Sequence, residues 1–276
     1  IFVKLHKQSP NFKDDTYVPI QVGKSLTEED FGILHDDTGD HISERHDIFC
    51  EHTATYWAWK NMDADYYGLC HYRRFFTLES PSFSESMNRR VHYLLSKSFG
   101  NLLRPGTNYA KSELVYTRSF DHLKLSAQHF SDHIRREIEG GRLDACFCKP
   151  YQLSGMNIKQ YMSQYAGVKN IDYMFRAVEL THPEYLKYVE TTLAHHQLYS
   201  SNMYVMSKSI FDEYCNFLFD VLNRVVELLY QEGQYIDVLK EKSCFLFCGY
   251  LGEILTSSFC TKLLADGKRV QFFNVM

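Results

Sequence analysis

The sequence lacks the features of a membrane-spanning or nucleic-acid-binding chain. No apolar run among its 276 residues approaches the roughly 20 residues that a membrane-spanning helix needs. Basic residues are not in excess, since 30 Lys and Arg stand against 34 Asp and Glu and give a net charge of −4. Excess positive charge is the main source of non-specific affinity for nucleic acids, so we predict no nucleic-acid partner.

The cysteine pattern also excludes two kinds of site. None of the eight cysteines forms a C-x-x-C pair, and a disulfide framework is unusual in a chain of this length. Cys70 and Cys146 lie in apolar runs, so we expect buried, reduced thiols. With no recognisable signal peptide, this pattern favours a cytoplasmic protein. Peripheral association with the inner face of the cytoplasmic membrane is the second option that we keep.

Composition is otherwise that of a globular protein. Hydrophobic residues make up 45% and charged residues 23% of the chain, which excludes intrinsic disorder. Only 2 Trp are present, but there are 20 Tyr and 20 Phe. Tyrosine suits sugar and nucleotide surfaces and also suits a well-packed core, so this excess does not decide between them.

Strand-like and helix-like segments alternate along the chain. Hydrophobic periodicity predicts strands over residues 2–7, 17–22, 66–72, 143–148, 199–206 and 269–275. Helices are predicted over residues 43–61, 84–99, 120–138, 171–195 and 245–264, the fourth with a break near Pro183. A further helix is predicted to begin at a capping box formed by Ser209 and Asp212. This order predicts an α/β fold with helices on both faces of the sheet. We expect a single domain over residues 1–276, with a helical insertion at about 80–140.

The most informative segment is an apolar strand that ends in basic residues. His71, Tyr72, Arg73 and Arg74 follow it directly. Ligands of open α/β sheets bind beyond the carboxyl ends of the strands, and a guanidinium group matches the geometry of a phosphate. Strand alternation would place His71 and Arg73 on one side and the other two on the opposite side. The segment therefore predicts a diphosphate site, unless the arginines pair with surface carboxylates and His71 only caps the strand.

Asp63 and Asp65 match the D-x-D spacing of metal sites in nucleotide-sugar enzymes. They precede the strand and so lie at its amino end, away from the expected ligand crevice. A turn between helix and strand explains them better, because Asp favours turns.

An acidic loop over residues 35–43 is a second candidate site. Its carboxylates could accept hydrogen bonds from ribose or base, or bind a hard cation. Downstream, Thr53, Tyr56 and Lys60 share one flank of the predicted helix and could line a pocket. A solvated loop that caps the next helix would look the same. Ligand-type side chains in this stretch also allow a metal-dependent phosphoesterase, through His35, Asp36, Asp37, Asp40, His41 and His46.

Two further residues are candidates for contact with the reacting groups. Glu253 lies in an apolar, glycine-spaced segment, where burial would raise the pKa of its carboxyl as a general base near neutral pH requires. The alternative is a carboxylate held by helix-terminal amides. Asn202 precedes an apolar strand, where it could bind a sugar hydroxyl or orient a turn.

Several segments together resemble a known bacterial family. His-Tyr-Arg-Arg at 71–74 and Trp-Ala-Trp-Lys-Asn at 57–61 are the most specific. The others lie at residues 6–7, 17–23, 36–40, 51–56, 68–70, 202–206 and 249–253. In this order they resemble a family long catalogued as a domain of unknown function. It occurs in capsule, exopolysaccharide and O-antigen assembly, and has been recognised as β-galactofuranosyltransferases.

The resemblance implies a GT-A-like α/β fold, in which a mixed sheet flanked by helices binds a nucleotide sugar. It implies a UDP-sugar donor, UDP-galactofuranose, and transfer to a lipid-linked or growing glycan. The uridine would be held by His6, Asp37, Thr38, Gly39, Asp40, Tyr56 and Lys60. His71, Arg73 and Arg74 stand where related folds place their metal-binding acids, and together with Tyr72 they would hold the donor diphosphate. We therefore predict no metal ligands and no essential divalent ion. Glu253 is the candidate base and Asn202 the candidate contact for the acceptor sugar.

The chain also departs from the family pattern. The family's terminal helix usually carries arginines near this Glu, whereas Leu246 and Ile254 stand here. The stretch from 81 to 140 matches least, which affects the expected choice of acceptor. From the resemblance as a whole we expect glycosyl transfer with inversion. A metal-dependent phosphoesterase, or a non-catalytic module that binds saccharide or nucleotide, is the alternative.

Overall fold

The computed structural model describes residues 1–87, 91, 114–117, 119–153, 155–199, 201–234 and 247–276. These residues form ten strands: β1 (Phe2–Leu5), β2 (Val18–Gln21), β3 (Leu34–His35), β4 (Tyr66–His71), β5 (Phe76–Thr77), β6 (Ala145–Cys148), β7 (Tyr151–Gln152), β8 (Gln197–Leu198), β9 (Tyr204–Ser207) and β10 (Val270–Val275). Eight of them build one sheet in the order β3-β2-β1-β4-β9-β6-β10-β5, and β7 pairs with β8.

The sheet is mixed. β3, β2, β1 and β4 are parallel to one another, and β6 is parallel to β10. β9 lies between β4 and β6 and is antiparallel to both. β5 pairs antiparallel with β10 at the far edge. The carboxyl ends of β1–β4 and of β6 therefore lie at the same edge of the sheet as the amino end of β9.

Helices cover both faces of the sheet. The described helices are α1 (His46–Phe49), α2 (His52–Asn61), α3 (Phe120–Glu139), α4 (Ile158–Ala166), α5 (Val168–Thr181), α6 (Leu186–Ala194), α7 (Lys208–Gln231) and α8 (Phe247–Ala265). Residues 83–87 are also helical. Short 3₁₀ turns occupy Lys24–Leu26, Ser43–Arg45 and Pro183–Tyr185.

Alternation along the strands separates two cores. In β4, Tyr67 and Leu69 pack into the larger core with α2 and helices α4–α8, whereas Cys70 faces the smaller core. The smaller core is closed by α3 through Phe130 and Ile134. A sheet whose strands are buried on both faces in this way is the predicted α/β arrangement.

Most predicted elements are confirmed, and three predictions are wrong in detail. The helix expected over 43–61 is interrupted at Cys50, whose φ is 51°, so that α2 starts afresh at His52. The strand expected from 199 begins only at Tyr204. Helix α7 starts after Ser207 with no side-chain cap, so the predicted capping by Ser209 is wrong. Most of the helix predicted over 84–99 lies outside the described residues.

Two of the predictions about composition are answered here. Seven of the eight cysteines are described, and all seven are buried as expected, while Cys244 lies outside the described residues. Within the described part of the chain, no helix is both long and apolar enough to cross a membrane. The prediction of one domain over residues 1–276 stays a prediction, and much of the expected insertion at 80–140 lies outside the described residues.

Candidate functional site

A tight turn follows β4 at the edge of the sheet where the parallel strands end. The backbone N–H of Arg74 donates to the carbonyl of His71 over 3.0 Å, so the chain reverses directly after the strand. The predicted alternation of side chains beyond the strand is wrong for this reason. Tyr72 is buried, and the Arg73 guanidinium carbon lies 4.8 Å from the centre of its ring. Arg74 is half-buried and donates to Ser201 Oγ.

Both guanidinium groups remain available to an anion. Among the described residues, neither Arg73 nor Arg74 forms an ion pair with a carboxylate. Arginine at such a position can give charge-assisted hydrogen bonds to phosphate oxygens. Surface ion pairs, the alternative role of these arginines, are therefore not found in the part of the chain that the structure describes.

His71 contributes a hydrogen bond and no charge. Burial, followed by the positive charges of Lys4 and Arg74, lowers the pKa of His71 to about 3. Its Nδ1 accepts the backbone N–H of Arg73 over 3.3 Å, which assigns the ring proton to Nε2. At neutral pH the ring is therefore neutral and can donate from Nε2.

A second turn lies at the same edge, directly before β9. Ser201 and Asn202 have φ angles of 69° and 48°, which residues other than glycine rarely adopt. Three hydrogen bonds hold Asn202, which is only 1% exposed. Its Nδ2 donates to Glu51 Oε1 over 2.8 Å and to the carbonyl of Gly249 over 3.2 Å, and its Oδ1 accepts from Thr256 Oγ1 over 3.1 Å. A sugar hydroxyl would reach this amide only by displacing these partners.

Glu253, on α8, is joined to the second turn. The backbone N–H of Ser201 donates to Glu253 Oε1 over 2.6 Å. Burial is the main cause that raises the pKa of Glu253 to about 7, although the Ser201 N–H, Arg74 and Lys4 oppose it. Because Ser201 also accepts the hydrogen bond from Arg74, one residue links the carboxyl group to the guanidinium group. The pKa that the candidate base requires is thus supplied by its surroundings.

A charge pair of a buried lysine and a half-buried carboxylate lies beneath this turn. Lys4, on β1, is 2% exposed, and its Nζ lies 4.0 Å from Glu51 Oε1. Within the described residues, no acceptor lies within hydrogen-bonding distance of that Nζ. Burial alone would raise the pKa of Glu51, but Lys4, His52 and the Asn202 amide lower it to about 2. Glu51 is therefore ionised throughout the physiological range, and its pKa lies far below that of Glu253.

The glycine spacing on α8 has a steric reason. A Cβ added at Gly252 would lie 2.0 Å from Nε2 of His52, which is fully buried at the start of α2. Only glycine lets the two helices approach this closely without displacing the imidazole. This contact places Glu253 and Glu51 on neighbouring segments of the same edge.

We call this group of residues the edge cluster. It contains five residues predicted from the sequence and four that were not predicted. The predicted ones are His71, Arg73, Arg74, Glu253 and Asn202, and the others are Lys4, Glu51, His52 and Ser201. Asn202, which was predicted as a sugar contact, is a buried support within the cluster.

His6 lies beside this cluster. Its exposed ring is 4.8 Å from the ring of Tyr72 in an edge-to-face contact. Lys7 Nζ is 5.5 Å from the centre of the same Tyr72 ring. Burial and then the charges of Lys7, His46 and Arg73 lower the pKa of His6. Tyr72 is thus a platform for His6, Lys7 and Arg73.

Most of the predicted nucleotide residues form a separate group, the loop cluster. Trp57 Nε1 donates to the carbonyl of Thr38 over 2.8 Å, and Tyr56 OH donates to Asp40 Oδ1 over 3.2 Å. Lys60 Nζ lies 5.6 Å from the centre of the Tyr56 ring. The cluster consists of Asp37, Thr38, Gly39, Asp40, Tyr56 and Lys60.

The two clusters lie towards opposite ends of α2. At 1.5 Å per residue, Lys60 is roughly 14 Å along the helix axis from Glu51. Gly39 has a φ of 63°, and a Cβ there would lie 2.0 Å from Asn61 Oδ1, which fixes the loop against the end of the helix. A role of the loop cluster in binding uridine stays a prediction.

The acidic residues that suggested a metal-dependent phosphoesterase are engaged with the protein itself. Asp36 is fully buried and accepts hydrogen bonds from Gly23 N–H (3.0 Å), Lys24 N–H (3.2 Å) and Ser43 Oγ (2.5 Å). His35 contacts Asp37. No group of three or more His, Cys, Asp or Glu within the described residues is arranged to hold a metal ion.

Asp63 and Asp65 lie where the sequence predicted, before the amino end of β4. Asp63 Oδ1 accepts from Lys208 Nζ over 2.5 Å on the surface, and the carbonyl of Asp65 accepts from the backbone N–H of the same lysine. They join helix α7 to the start of β4, far from the edge where His71 lies.

Sequence reasoning missed residues whose role depends on burial. A lysine inside the apolar strand of residues 2–5 was the available signal for Lys4. A Glu-His pair at a helix start was the signal for Glu51 and His52. Nothing local marks Ser201, because its partners Arg74 and Glu253 lie far from it in the sequence.

Comparisons with known proteins extend this description. A solved structure of the apo form of the WbbM bifunctional glycosyltransferase matches with a TM-score of 0.75 at 24% identity. The match covers 99% of this chain and 44% of that one, so the chain spans less than half of its length. This confirms the GT-A-like α/β fold. No match was found among curated proteins.

The family comparison covers nearly the whole chain. A family described as a domain of unknown function, DUF4422, matches residues 1–263, which include both turns and every residue of the edge and loop clusters. The chain therefore belongs to the DUF4422 family.

Proposed function

We propose that this chain is a glycosyltransferase that moves a sugar from a UDP-sugar to a lipid-linked or growing polysaccharide acceptor, with inversion. One observation carries the proposal: a carboxyl group with a pKa of about 7, Glu253, is linked through Ser201 to Arg74 at the edge of the sheet where the parallel strands end. Such a pair supplies a base and an anion-binding group side by side, as glycosyl transfer requires.

The reaction begins at the acceptor hydroxyl. The Glu253 carboxylate takes the proton as the hydroxyl oxygen forms a bond to the anomeric carbon of the donor sugar. The bond between that carbon and the UDP oxygen breaks on the opposite face, and the electron pair leaves with UDP. The configuration at the anomeric carbon is inverted, and Glu253 holds the proton at the end of the step.

The leaving diphosphate gains negative charge, which must be stabilised where it develops. Arg73 and Arg74 supply two positive charges on the turn after β4, and His71 Nε2 supplies a neutral donor. Because these groups are fixed by the turn and by the Tyr72 platform, they need little reorganisation during the reaction. Residues of this kind can do the work of a divalent ion, so we propose that a metal is not essential.

The uridine and the acceptor are assigned to groups that lie near the edge cluster. His6 and the loop cluster are the proposed contacts of the uridine. A small pocket of about 10 Å³ adjoins Arg74 and Ser201 and is lined further by Lys149, Tyr151 and Asn274. The pocket is too small for a sugar ring, so the open surface around it is the proposed site of the acceptor. Galactofuranose as the donor sugar rests on the resemblance of the sequence motifs.

The fold and the sequence support the same activity. The WbbM structure that shares this fold is described as a bifunctional glycosyltransferase. The motifs at residues 57–61 and 71–74, which carry the resemblance to galactofuranosyltransferases, lie in helix α2 and in the turn after β4.

A screen of UDP-sugars for UDP release tests the proposal. The panel contains UDP-galactofuranose, UDP-galactopyranose and UDP-glucose, each measured with EDTA and with Mn²⁺. We expect release of UDP from UDP-galactofuranose at similar rates in both conditions, since arginines replace the ion. Binding of UDP without release from any donor would favour a non-catalytic binding module, and activity only with Mn²⁺ would contradict the metal-independent step.

A further inference from the structure

The turn that binds Glu253 is itself fixed by hydrogen bonds to the protein interior. Its hydrogen bond comes from the backbone N–H of Ser201, and the next residue, Asn202, has all three of its side-chain hydrogen bonds inside the protein. Two consecutive residues with positive φ persist only where neighbouring contacts over-determine them. The contacts of Asn202 are therefore the source of the geometry at Ser201.

The partner of Asn202 is fixed in turn by a buried charge. Glu51 Oε1 accepts from Asn202 and lies 4.0 Å from Lys4 Nζ, which is almost fully buried with no closer acceptor among the described residues. Burying a lone ammonium group is costly, so Lys4 favours the ionised carboxylate beside it. An ionised carboxylate is also a stronger acceptor for the Asn202 amide than a neutral one.

From this chain of contacts we propose that Lys4, Glu51 and Asn202 are positioning residues, which hold the Ser201 turn so that its N–H binds the Glu253 carboxylate. The inference rests on the proposed function, because it assigns these residues to the transfer step. None of the three needs to touch substrate. A merely structural role would alter stability alone, whereas a positioning role alters the titration of Glu253 as well.

The pH dependence follows from the groups that face Glu253. They are Lys4 on β1, Glu51 before α2, Arg74 after β4, Cys148 on β6, Tyr161 on α4 and Tyr250 on α8. The Ser201 N–H lowers the pKa of Glu253 against the effect of burial. If the turn is released, that hydrogen bond is lost and the pKa rises. A base is active when deprotonated, so the acid limb of the pH–rate profile then moves to higher pH.

The variant Asn202→Gly tests the proposed positioning role most directly. Glycine accepts the backbone conformation of residue 202 but makes none of the three side-chain hydrogen bonds. We expect the rate of UDP release from UDP-galactofuranose to fall on the order of 100-fold, as for a misplacement of about 1 Å. The acid limb should move up by about one pH unit. Arg74 loses its hydrogen bond to Ser201 if the turn moves, so the affinity for UDP, measured by calorimetry, should also fall, but by less than the rate.

Glu51 offers a matched pair of variants. Glu51→Gln keeps an oxygen that accepts from Asn202, whereas Glu51→Ala removes it, and both leave Lys4 without its partner. A greater loss of rate and a higher acid limb in Glu51→Ala support positioning through the Asn202 contact. Glu190→Ala, an exposed change on α6, is the control. Equal behaviour of the two Glu51 variants would overturn the inference.

Two measurements keep the inference separate from the proposed function. If the wild type releases UDP from no donor, the proposed function fails. The carboxyl carbon of Glu253 can still be titrated by NMR in selectively labelled wild-type protein and in Asn202→Gly. A higher pKa in the variant supports the positioning device, and an unchanged pKa contradicts it. If Asn202→Gly does not fold, the same titration in Glu51→Ala against Glu51→Gln decides.

Discussion

The edge cluster and the loop cluster hold their charges in different ways. In the edge cluster, the buried Lys4 and the half-buried Glu51 and Glu253 shift one another, so that the pKa of Glu51 is about 2 and that of Glu253 about 7. In the loop cluster, Asp40 and Lys60 are exposed and contact Tyr56 over 3.2 Å and 5.6 Å. Buried groups can change reactivity, whereas exposed groups change binding by small amounts. From this difference we propose that the chemistry belongs to the edge cluster and the selection of the ligand to the loop cluster.

The largest effect should follow from removing the base. Glu253→Gln keeps the acceptor for the Ser201 N–H but cannot take a proton. We expect the rate of UDP release in the presence of acceptor to fall by about 10²- to 10⁴-fold, with donor affinity nearly unchanged. Steady-state rates and calorimetry measure the two quantities, and near-normal turnover would remove Glu253 from this role.

The second largest effect should follow from removing the guanidinium group of Arg74. Arg74→Ala removes one charge-assisted contact with the diphosphate, so we expect UDP affinity to weaken by about 10- to 100-fold. Calorimetric titration of UDP measures this. Arg135→Ala, on the opposite face of the sheet on α3, is the matched control and should bind UDP as the wild type does. Unchanged affinity in Arg74→Ala would show that the diphosphate lies elsewhere.

A stability effect separates buried from exposed histidines. Burial lowers the pKa of His52 to about 4, below the value near 6.5 that it has when unfolded. The unfolded chain therefore binds more protons between these values, and stability falls as pH drops from about 6.5 to about 4. We expect His52 to contribute about 3 kcal/mol of this loss. Urea unfolding at several pH values should show a flatter dependence for His52→Gln, while exposed His195→Gln should keep the wild-type slope.

The smallest effect is expected in the loop cluster. Lys60 Nζ lies 3.4 Å from the centre of a ring of Trp59 and is exposed, so its charge is screened by solvent. Lys60→Ala should weaken UDP binding by about two- to five-fold. Glu190→Ala serves as the exposed control. A loss as great as that of Arg74→Ala would remove the distinction between the two clusters.

Much of the fold could be predicted because periodicity is a local property. The strands β1, β4, β6 and β10 and the helices α3 and α7 lie where hydrophobic spacing placed them. The break at Cys50 and the turn at Ser201 could not be predicted, because their left-handed backbones depend on contacts with distant segments. The same is true of the catalytic candidate: its sequence context predicted burial of Glu253, but the donor at Ser201 is set by Asn202 and Glu51.

The residues of the proposed diphosphate site show the same limit of sequence-based prediction. The strand that ends in His71 was predicted correctly. The prediction that Tyr72 and Arg73 lie on opposite sides of an extended chain was wrong, because the chain reverses directly after His71. The hydrogen bond from the backbone N–H of Arg74 to the carbonyl of His71 stabilises this turn. The charge of His71 could not be judged either, since it is burial and Lys4 that keep the ring neutral.

A crystal structure of the protein with UDP tests the central claim most directly. We predict that the diphosphate lies at the turn after β4, with a phosphate oxygen within hydrogen-bonding distance of the Arg74 guanidinium and the β-phosphate on the side of Glu253. A diphosphate bound on the face covered by α3, or any pose that leaves Arg73 and Arg74 without contact to phosphate, would contradict the account.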